Sequence, residues 1–268
     1  MMAINIVLAG PRGKMGTEAI KMITNDENFN LIACIDRKNN GKSLDEINHV
    51  CENSVPIYDD AKTCFEEMEP DVFVDLTIPQ IGFEHTKLAL QLNIRAVVGT
   101  SGFTEAQIDE LSILAEQNKT GCIIAPNFAL GAVLMMLFSK MAAKYFPDVE
   151  IIEKHHDKKI DAPSGTALKT IEMIKQSRDP KKQGHPEEYE IVEGSRGGEI
   201  EGIRVHSMRL PGLVAHQEVV FGSKSQLLTI KHDSFHRESF MDGLKLGINE
   251  VMKLQKLIYG LEHVMDLD

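Results

Sequence analysis

The sequence predicts an α/β chain: a parallel-sheet domain first, an α+β domain with an open mixed sheet next, and a closing helix. Three observations predict it. Up to Pro126, short and nearly continuous apolar runs alternate with helical patterns, as strands covered on both faces do. Beyond Pro126 the strand-like runs carry alternating polar residues and turn pairs, which suits a sheet with one face open. The stretch from Arg237 to Leu254 then repeats Phe240, Leu244, Ile248 and Val251 at helical spacing and is expected to return to the first domain.

In order, Ala3-Ile4-Asn5-Ile6-Val7-Leu8-Ala9 reads as a buried strand and Lys14 to Thr24 as a helix. Leu31-Ile32-Ala33-Cys34-Ile35 is the second strand, ending at Asp36-Arg37. A polar loop leads to a short strand near Val55-Pro56-Ile57-Tyr58 and an acidic helix from Asp60 to Met68. Three further strands are Asp71 to Thr77, Ile94 to Gly99 and Cys122 to Ala125, separated by helices from Ile81 to Leu92 and from Glu105 to Asn118. The second half opens with a very apolar helix, Gly131 to Tyr145, and the strand Val149-Glu150-Ile151-Ile152-Glu153. Ser164-Gly165-Thr166 offers N-cap hydroxyls to a helix beginning at Ala167. Gln176 to Tyr189 is a polar surface loop, followed by strands at Ile203–Met208, His216–Phe221 and Leu227–Lys231, with turns at Pro211-Gly212 and Gly222-Ser223.

Composition excludes several classes. With 29 Lys+Arg against 40 Asp+Glu, the net charge of −11 argues against a general nucleic-acid binder. No apolar run approaches the roughly 18 residues of a transmembrane helix, and the N-terminal Met1-Met2-Ala3 has no basic region, so neither a membrane span nor a signal peptide is expected. Cys34, Cys51, Cys64 and Cys122 show no CxxC spacing and sit in apolar surroundings, which suits a reduced, cytoplasmic chain.

Gly10-Pro11-Arg12-Gly13-Lys14-Met15-Gly16 follows the first strand and opens the first helix. This G-x-x-G-x-x-G run is a variant of the dinucleotide fingerprint, whose glycines allow a tight turn and close approach of a pyrophosphate to the helix N-terminus. Asp36, at the end of the second strand, stands where a carboxylate accepts hydrogen bonds from the adenosine ribose. A guanidinium at Arg37 can bind a 2′-phosphate, which would admit NADPH beside NADH; a solvated surface arginine is the alternative. Gly99-Thr100-Ser101-Gly102-Phe103 and Ala125-Pro126-Asn127-Phe128 end further strands, where loops line a ligand crevice or simply turn.

The densest chemistry lies at Lys154-His155-His156-Asp157-Lys158-Lys159, ahead of Ile160-Asp161-Ala162-Pro163-Ser164-Gly165-Thr166. Imidazoles and ammonium groups beside a helix start combine proton donors with an anion-favouring cradle. No spaced His/Glu/Cys set accompanies them, so no metal is expected. Arg196-Gly197-Gly198-Glu199, Arg209, His216 and His232 lie near strand ends and read mainly as surface or structural groups.

Together these segments resemble the dihydrodipicolinate reductases (4-hydroxy-tetrahydrodipicolinate reductases) of bacterial lysine and diaminopimelate synthesis, in order and over essentially the whole chain. The most specific stretch is Glu153 to Ala167; the glycine loop, Gly99 to Phe103, Pro126 to Gly131, Arg196 to Glu199 and His232 to Gly243 fit as well. The resemblance implies reduction of a cyclic dicarboxylate imine by NADH or NADPH. It implies that His155 is the acid/base, Lys159 a proton donor, and His156, Gly165 and Thr166 the carboxylate ligands. Gly10, Pro11, Arg12, Gly13, Lys14, Met15, Gly16, Asp36, Arg37, Gly99, Thr100, Ser101, Ala125, Pro126, Asn127 and Phe128 would hold the cofactor. Lys154, Asp157 and Lys158 are then solvated neighbours.

The implied fold is a Rossmann-like domain over residues 1–126, completed by a C-terminal helix at 237–268, with a substrate-binding and tetramerisation domain at 127–236 that closes over it. The implied assembly is a homotetramer. Lys14, Pro11, Ser101 and Ala129 stand where the family commonly has Arg, Ala, Thr and Ser, which leaves the balance between NADH and NADPH open. Two other readings are weaker. Another amino-acid-pathway dehydrogenase would share the glycine loop but lack the His-His-x-x-Lys run, and a nucleotide-sensing regulator would need a DNA-binding segment that this acidic chain does not show.

Overall fold

In a computed structural model, described here for residues 3–47 and 54–267, the chain divides into two compact units. The first comprises residues 1–128 and 240–268, the second residues 129–239. Cys51 and the first two methionines lie outside the described residues.

The first unit begins with β1 (Ile4–Ala9), α1 (Lys14–Thr24), β2 (Phe29–Ile35), a single-turn α2 (Leu44–Ile47) and β3 (Ile57–Tyr58). It continues through α3 (Ala61–Met68), β4 (Val72–Asp75), α4 (Pro79–Gln91), β5 (Arg95–Val98), α5 (Glu105–Gln117) and β6 (Cys122–Ile124). The chain then builds the second unit from α6 (Leu130–Ala142), β7 (Asp148–His155), α7 (Gly165–Lys175), β8 (Gly198–Ile200), β9 (Ile203–Arg209), β10 (Ala215–Ser223) and β11 (Gln226–Ser234). It returns to the first unit with α8 (Met241–Val251) and β12 (Leu257–Tyr259).

The first sheet has seven strands in the order β12-β6-β5-β4-β1-β2-β3, every pair parallel. Its strands are apolar on both faces because helices cover both, and Ile6, Leu8, Phe73, Val97 and Ile123 are fully buried. β1 lies between β2 and β4, so the connections from β1 and from β4 run to opposite sides. This is the switch point at which ligands bind open α/β sheets, beyond the carboxyl ends of the strands. The returning α8 packs on β5 and α1 with Leu244, Ile248 and Val251 buried, as its spacing predicts.

Cys34, Cys64 and Cys122 are buried, and burial pushes the thiols of Cys64 and Cys122 up to about 12. No helix among the described residues is long and apolar enough to cross a membrane.

The second sheet has the order β11-β10-β7-β9-β8, with only the β7–β9 pair parallel, so it is mixed, as expected. The open face shows along β11, where Leu227 is 76% exposed. Gly222-Ser223 is not the turn expected from its composition. Both residues stay in β10, Gly222 paired with Leu227, and the chain reverses at Lys224-Ser225, where Ser225 takes the positive φ of 65°. The short strands β8 and β12 are two elements that the sequence did not announce.

Candidate active site

The glycine loop takes its shape from two close approaches. Gly10 adopts φ +89°, and a side chain there would meet the Leu76 carbonyl at 2.6 Å, which joins the loops after β1 and β4 at the switch point. A Cβ on Gly16 would stand 2.1 Å from the Gly10 carbonyl oxygen, so only glycine lets α1 start this close to the turn. The N-cap of α1, Gly13, brings no side chain to the first-turn amides. Residues of this kind fit a dinucleotide: a cradle that a Cβ would fill, opening on the positive end of a helix. Arg12, Gly13 and Lys14 are exposed, whereas Pro11 and Gly16 are buried and Met15 half-buried.

Asp36 is largely buried at the tip of β2, and Arg12 meets it side-on, with Nε 2.5 Å from Oδ2 and Nη2 2.8 Å from Oδ1. The Arg12 hydrogen bonds outweigh burial and hold the Asp36 carboxyl below the usual carboxylate range. Arg37, the residue read as a 2′-phosphate ligand, is exposed beside it. Sequence spacing did not announce the Arg12–Asp36 pair.

The loops after β4 and β5 are tied together by a buried acid. The Thr100 hydroxyl donates to Asp75 Oδ2 and accepts from the Thr77 amide at 3.0 Å, while the Thr77 hydroxyl donates to Asp75 Oδ1 at 2.7 Å. Burial raises the Asp75 carboxyl above its ordinary value against these bonds. Thr100 is thus buried and fixed by its side chain, whereas Ser101 beside it is exposed. Gly99 packs against Leu76 and Phe128, and Ala125 and Phe128 are buried, with Pro126 exposed and Asn127 half-buried.

The basic stretch lies wholly in the second unit. β7 runs two residues further than its apolar pattern predicts, which places His155 on its last position and on the same face as Glu153. Glu153 has no exposed surface. Its oxygens accept from Arg209 Nη2 at 2.7 Å and Nη1 at 2.9 Å, from the Ser164 amide at 3.3 Å, and lie 2.6 Å from His155 Nδ1. Burial pushes the Glu153 carboxyl up, but Arg209, Ser207 and His155 together hold it below the usual range. Burial lowers His155 more than the Glu153 bond raises it, and Lys159 and Arg209 add to the lowering. His155 is therefore weighted toward the neutral imidazole, with Nδ1 occupied by Glu153 and Nε2 left for chemistry.

Past His155 the chain turns, the Lys159 amide donating to the His156 carbonyl at 3.2 Å. The Lys159 ammonium is held on both oxygens of Asp161, at 2.7 Å each, which depresses the Asp161 carboxyl. The loop then enters α7, where the Ser164 hydroxyl accepts from the Ala167 amide at 3.2 Å as N-cap. Gly165 at the first helical position has open space around it, and Thr166 follows, half-buried. His156 is half-buried, Asp157 and Lys158 are exposed, and Lys154 departs from the expected solvated state by pairing with Glu218 at 2.6 Å. His216 bonds to Asp233, and Arg196 to Glu150, so both serve the sheet. Among the described residues, no group of three or more His, Cys, Asp or Glu is placed to hold a metal ion.

A model described as dihydrodipicolinate reductase, N-terminus, matches residues 4–128, and one described as dihydrodipicolinate reductase, C-terminus, matches residues 131–265. The chain belongs to the dihydrodipicolinate reductase family. A 4-hydroxy-tetrahydrodipicolinate reductase from Oceanobacillus iheyensis is 59% identical over 265 residues, covering 98% of this chain and 100% of that one. Another, from Bacillus pumilus, is 57% identical over 263 residues and covers 98% of each chain. Among solved structures, the dipicolinate-bound dihydrodipicolinate reductase from Paenisporosarcina sp. TG-14 matches with a TM-score of 0.91 and 53% identity, covering 98% of this chain and 100% of that one. Family membership makes this chain a nicotinamide-dependent oxidoreductase on a Rossmann-like fold with a second mixed-sheet domain.

Within the family's frame, the residues least legible in the sequence are Glu153 and Arg209. The first is hidden in an apolar strand and the second lies 56 positions away in the chain.

Proposed function

We propose that the chain reduces 4-hydroxy-tetrahydrodipicolinate to tetrahydrodipicolinate, in lysine and diaminopimelate synthesis, with His155 and Lys159 handling protons. The names of the relatives support the reaction, and the dipicolinate on the Paenisporosarcina protein supports a flat dicarboxylate as the ligand class. The observation that carries the reading is the His155 imidazole, held through Nδ1 by a buried carboxylate on the strand that delivers Lys159 and the start of α7.

The Gly10–Gly16 loop, Asp36, Arg37, Gly99, Thr100, Ser101 and Ala125 to Phe128 hold the nicotinamide dinucleotide. When bound, that group supplies hydride. The chain's own residues do the rest. Loss of the 4-hydroxyl as water leaves a ring C=C conjugated to the imine, and reduction at the carbon that carried the hydroxyl then leaves an electron-rich enamine that takes up a proton. Lys159, a cation beside the loop turn, donates it and stabilises the developing charge, while His155 acts as acid/base through Nε2. One substrate carboxylate is met by Gly165 and Thr166 at the positive end of α7, with His156 beside it. A dicarboxylate also competes with Asp161 for the Lys159 ammonium, which gives the lysine a defined resting partner.

Four copies of the chain meeting through the open second sheet, in a cytoplasmic setting, complete the proposal; the exposed Leu227 and Leu228 on β11 supply an apolar surface for that assembly. Lys159→Ala tests the catalytic assignment. Turnover is expected to fall by orders of magnitude while nicotinamide nucleotide binding persists, and near-normal turnover would remove Lys159 from the mechanism.

A further inference from the structure

The Asp36 carboxylate is already fully subscribed. It accepts from Arg12 Nε at 2.5 Å, Arg12 Nη2 at 2.8 Å, Asn39 Nδ2 at 2.5 Å and, at 3.4 Å, the Lys38 amide. An ionised carboxylate is an acceptor with about four lone-pair sites. A ribose diol recognised by this acid has to place its own hydroxyl hydrogens on the same oxygens, and so has to displace donors already there, the two charge-assisted ones from Arg12 being the strongest. A 2′-phosphate makes the opposite demand. It only accepts, and it is repelled by a bare carboxylate but not by one already neutralised. Arg12 is the cation in contact with Asp36, Arg37 and Lys38 follow that acid directly in the chain with exposed side chains, and the side-on pair leaves the Nη1 N–H groups of Arg12 outside it.

We propose that Arg12 sets nucleotide choice: by occupying Asp36 it withholds that carboxylate from a 2′,3′-diol and cancels the charge that would repel a 2′-phosphate, so the chain favours NADPH over NADH. Arg12 sits inside the glycine loop, 24 positions before its partner, so the residue that opens the pyrophosphate turn also governs the far side of the ribose. Arg37 then adds to a preference that Arg12 makes possible. The inference rests on the reading of Gly10 to Gly16 and Asp36 as the adenosine end of the dinucleotide site.

Calorimetric titration with 5′-AMP and with adenosine 2′,5′-bisphosphate isolates the 2′-phosphate without any turnover. The wild-type chain is expected to bind the bisphosphate about tenfold more tightly or better, a difference of about 1.4 kcal/mol. Arg12→Ala is expected to erase or invert that ratio, because the freed Asp36 accepts from the diol and repels the phosphate. Arg12→Gln, which keeps an N–H donor without the charge, is expected to do the same. Adding Asp36→Asn to Arg12→Ala is expected to restore part of the preference for the bisphosphate. An unmoved ratio in the Arg12 variants, with both nucleotides still bound, overturns the role of Arg12 and leaves the dinucleotide site standing. No recovery in the double variant overturns the counter-ion account, leaving Arg12 as a simple phosphate ligand. Failure of the wild-type chain to bind either nucleotide brings down the site reading and the inference together.

Discussion

Arg209 lays its two terminal nitrogens on the two oxygens of Glu153, at 2.7 and 2.9 Å, with the carboxylate fully buried. The same carboxylate holds His155 and receives the Ser164 amide. One acid therefore fixes the end of β7, the side chain at the end of β9, and the entry to α7. The proposed acid/base and the proposed carboxylate cradle are positioned by a single group that need not touch substrate.

Glu153→Gln separates this arrangement from a merely structural one. The change leaves the largely buried Arg209 guanidinium without a counter-charge, at an expected cost of about 3–5 kcal/mol in unfolding free energy. It also removes the interaction that raises His155, so the imidazole should titrate at lower pH than in the wild-type chain. Following the His155 ring protons by NMR across pH checks this, and an unmoved midpoint would deny the coupling.

Much of the fold was legible because apolar strand runs and helical spacing are local signals. The seven-strand sheet lacked only β12 and the second sheet only β8, each three residues long and too short to show a period. The pairs that give the sites their electrostatics were not legible. Arg12 meets Asp36 across 24 positions and Arg209 meets Glu153 across 56, and neither spacing carries a pattern. Glu153 in particular looks like one polar residue ending an apolar strand. Only the parallel pairing of β7 with β9, which sets His155 opposite Arg209, shows what that acid does.

Gly16→Ala probes the cradle. The added methyl would lie 2.1 Å from the Gly10 carbonyl oxygen, a backbone atom that cannot step aside without moving the turn. Stability should fall by about 1–3 kcal/mol, the usual cost of overpacking, and nucleotide affinity should fall with it. A variant that melts like the wild-type chain and binds nucleotide equally well would contradict this geometry.

Acid should destabilise the chain in two stages. His155 is lowered from its ordinary 6.5 by burial, so the unfolded state binds more protons and stability drops as pH falls below 6.5. Asp36, lowered from 3.8, and Glu153, lowered from 4.5, contribute stability that is present above those values and lost as pH falls through their folded values. Denaturant midpoints measured from pH 7 to pH 3 should decline throughout, and a maximum near pH 4 would refute the assignment.

Asp75 runs the other way. Burial raises its carboxyl above 3.8, so its contribution is present at low pH and is lost as pH rises through the folded value. Asp75→Asn removes that titration. Relative to wild type, the variant should gain stability as pH rises from about 4 to 7. A difference that stays flat with pH would show that Asp75 titrates alike in folded and unfolded chains.

The central claim is that this chain reduces the cyclic dicarboxylate imine with hydride from a nicotinamide nucleotide. The most direct measurement is the loss of NADPH and NADH absorbance when the imine is formed in situ from pyruvate and aspartate semialdehyde. The expected result is nucleotide oxidation that requires the imine, is faster with NADPH at subsaturating nucleotide, and collapses in Lys159→Ala. Nucleotide left unoxidised by the wild-type chain in the presence of the imine would contradict the account.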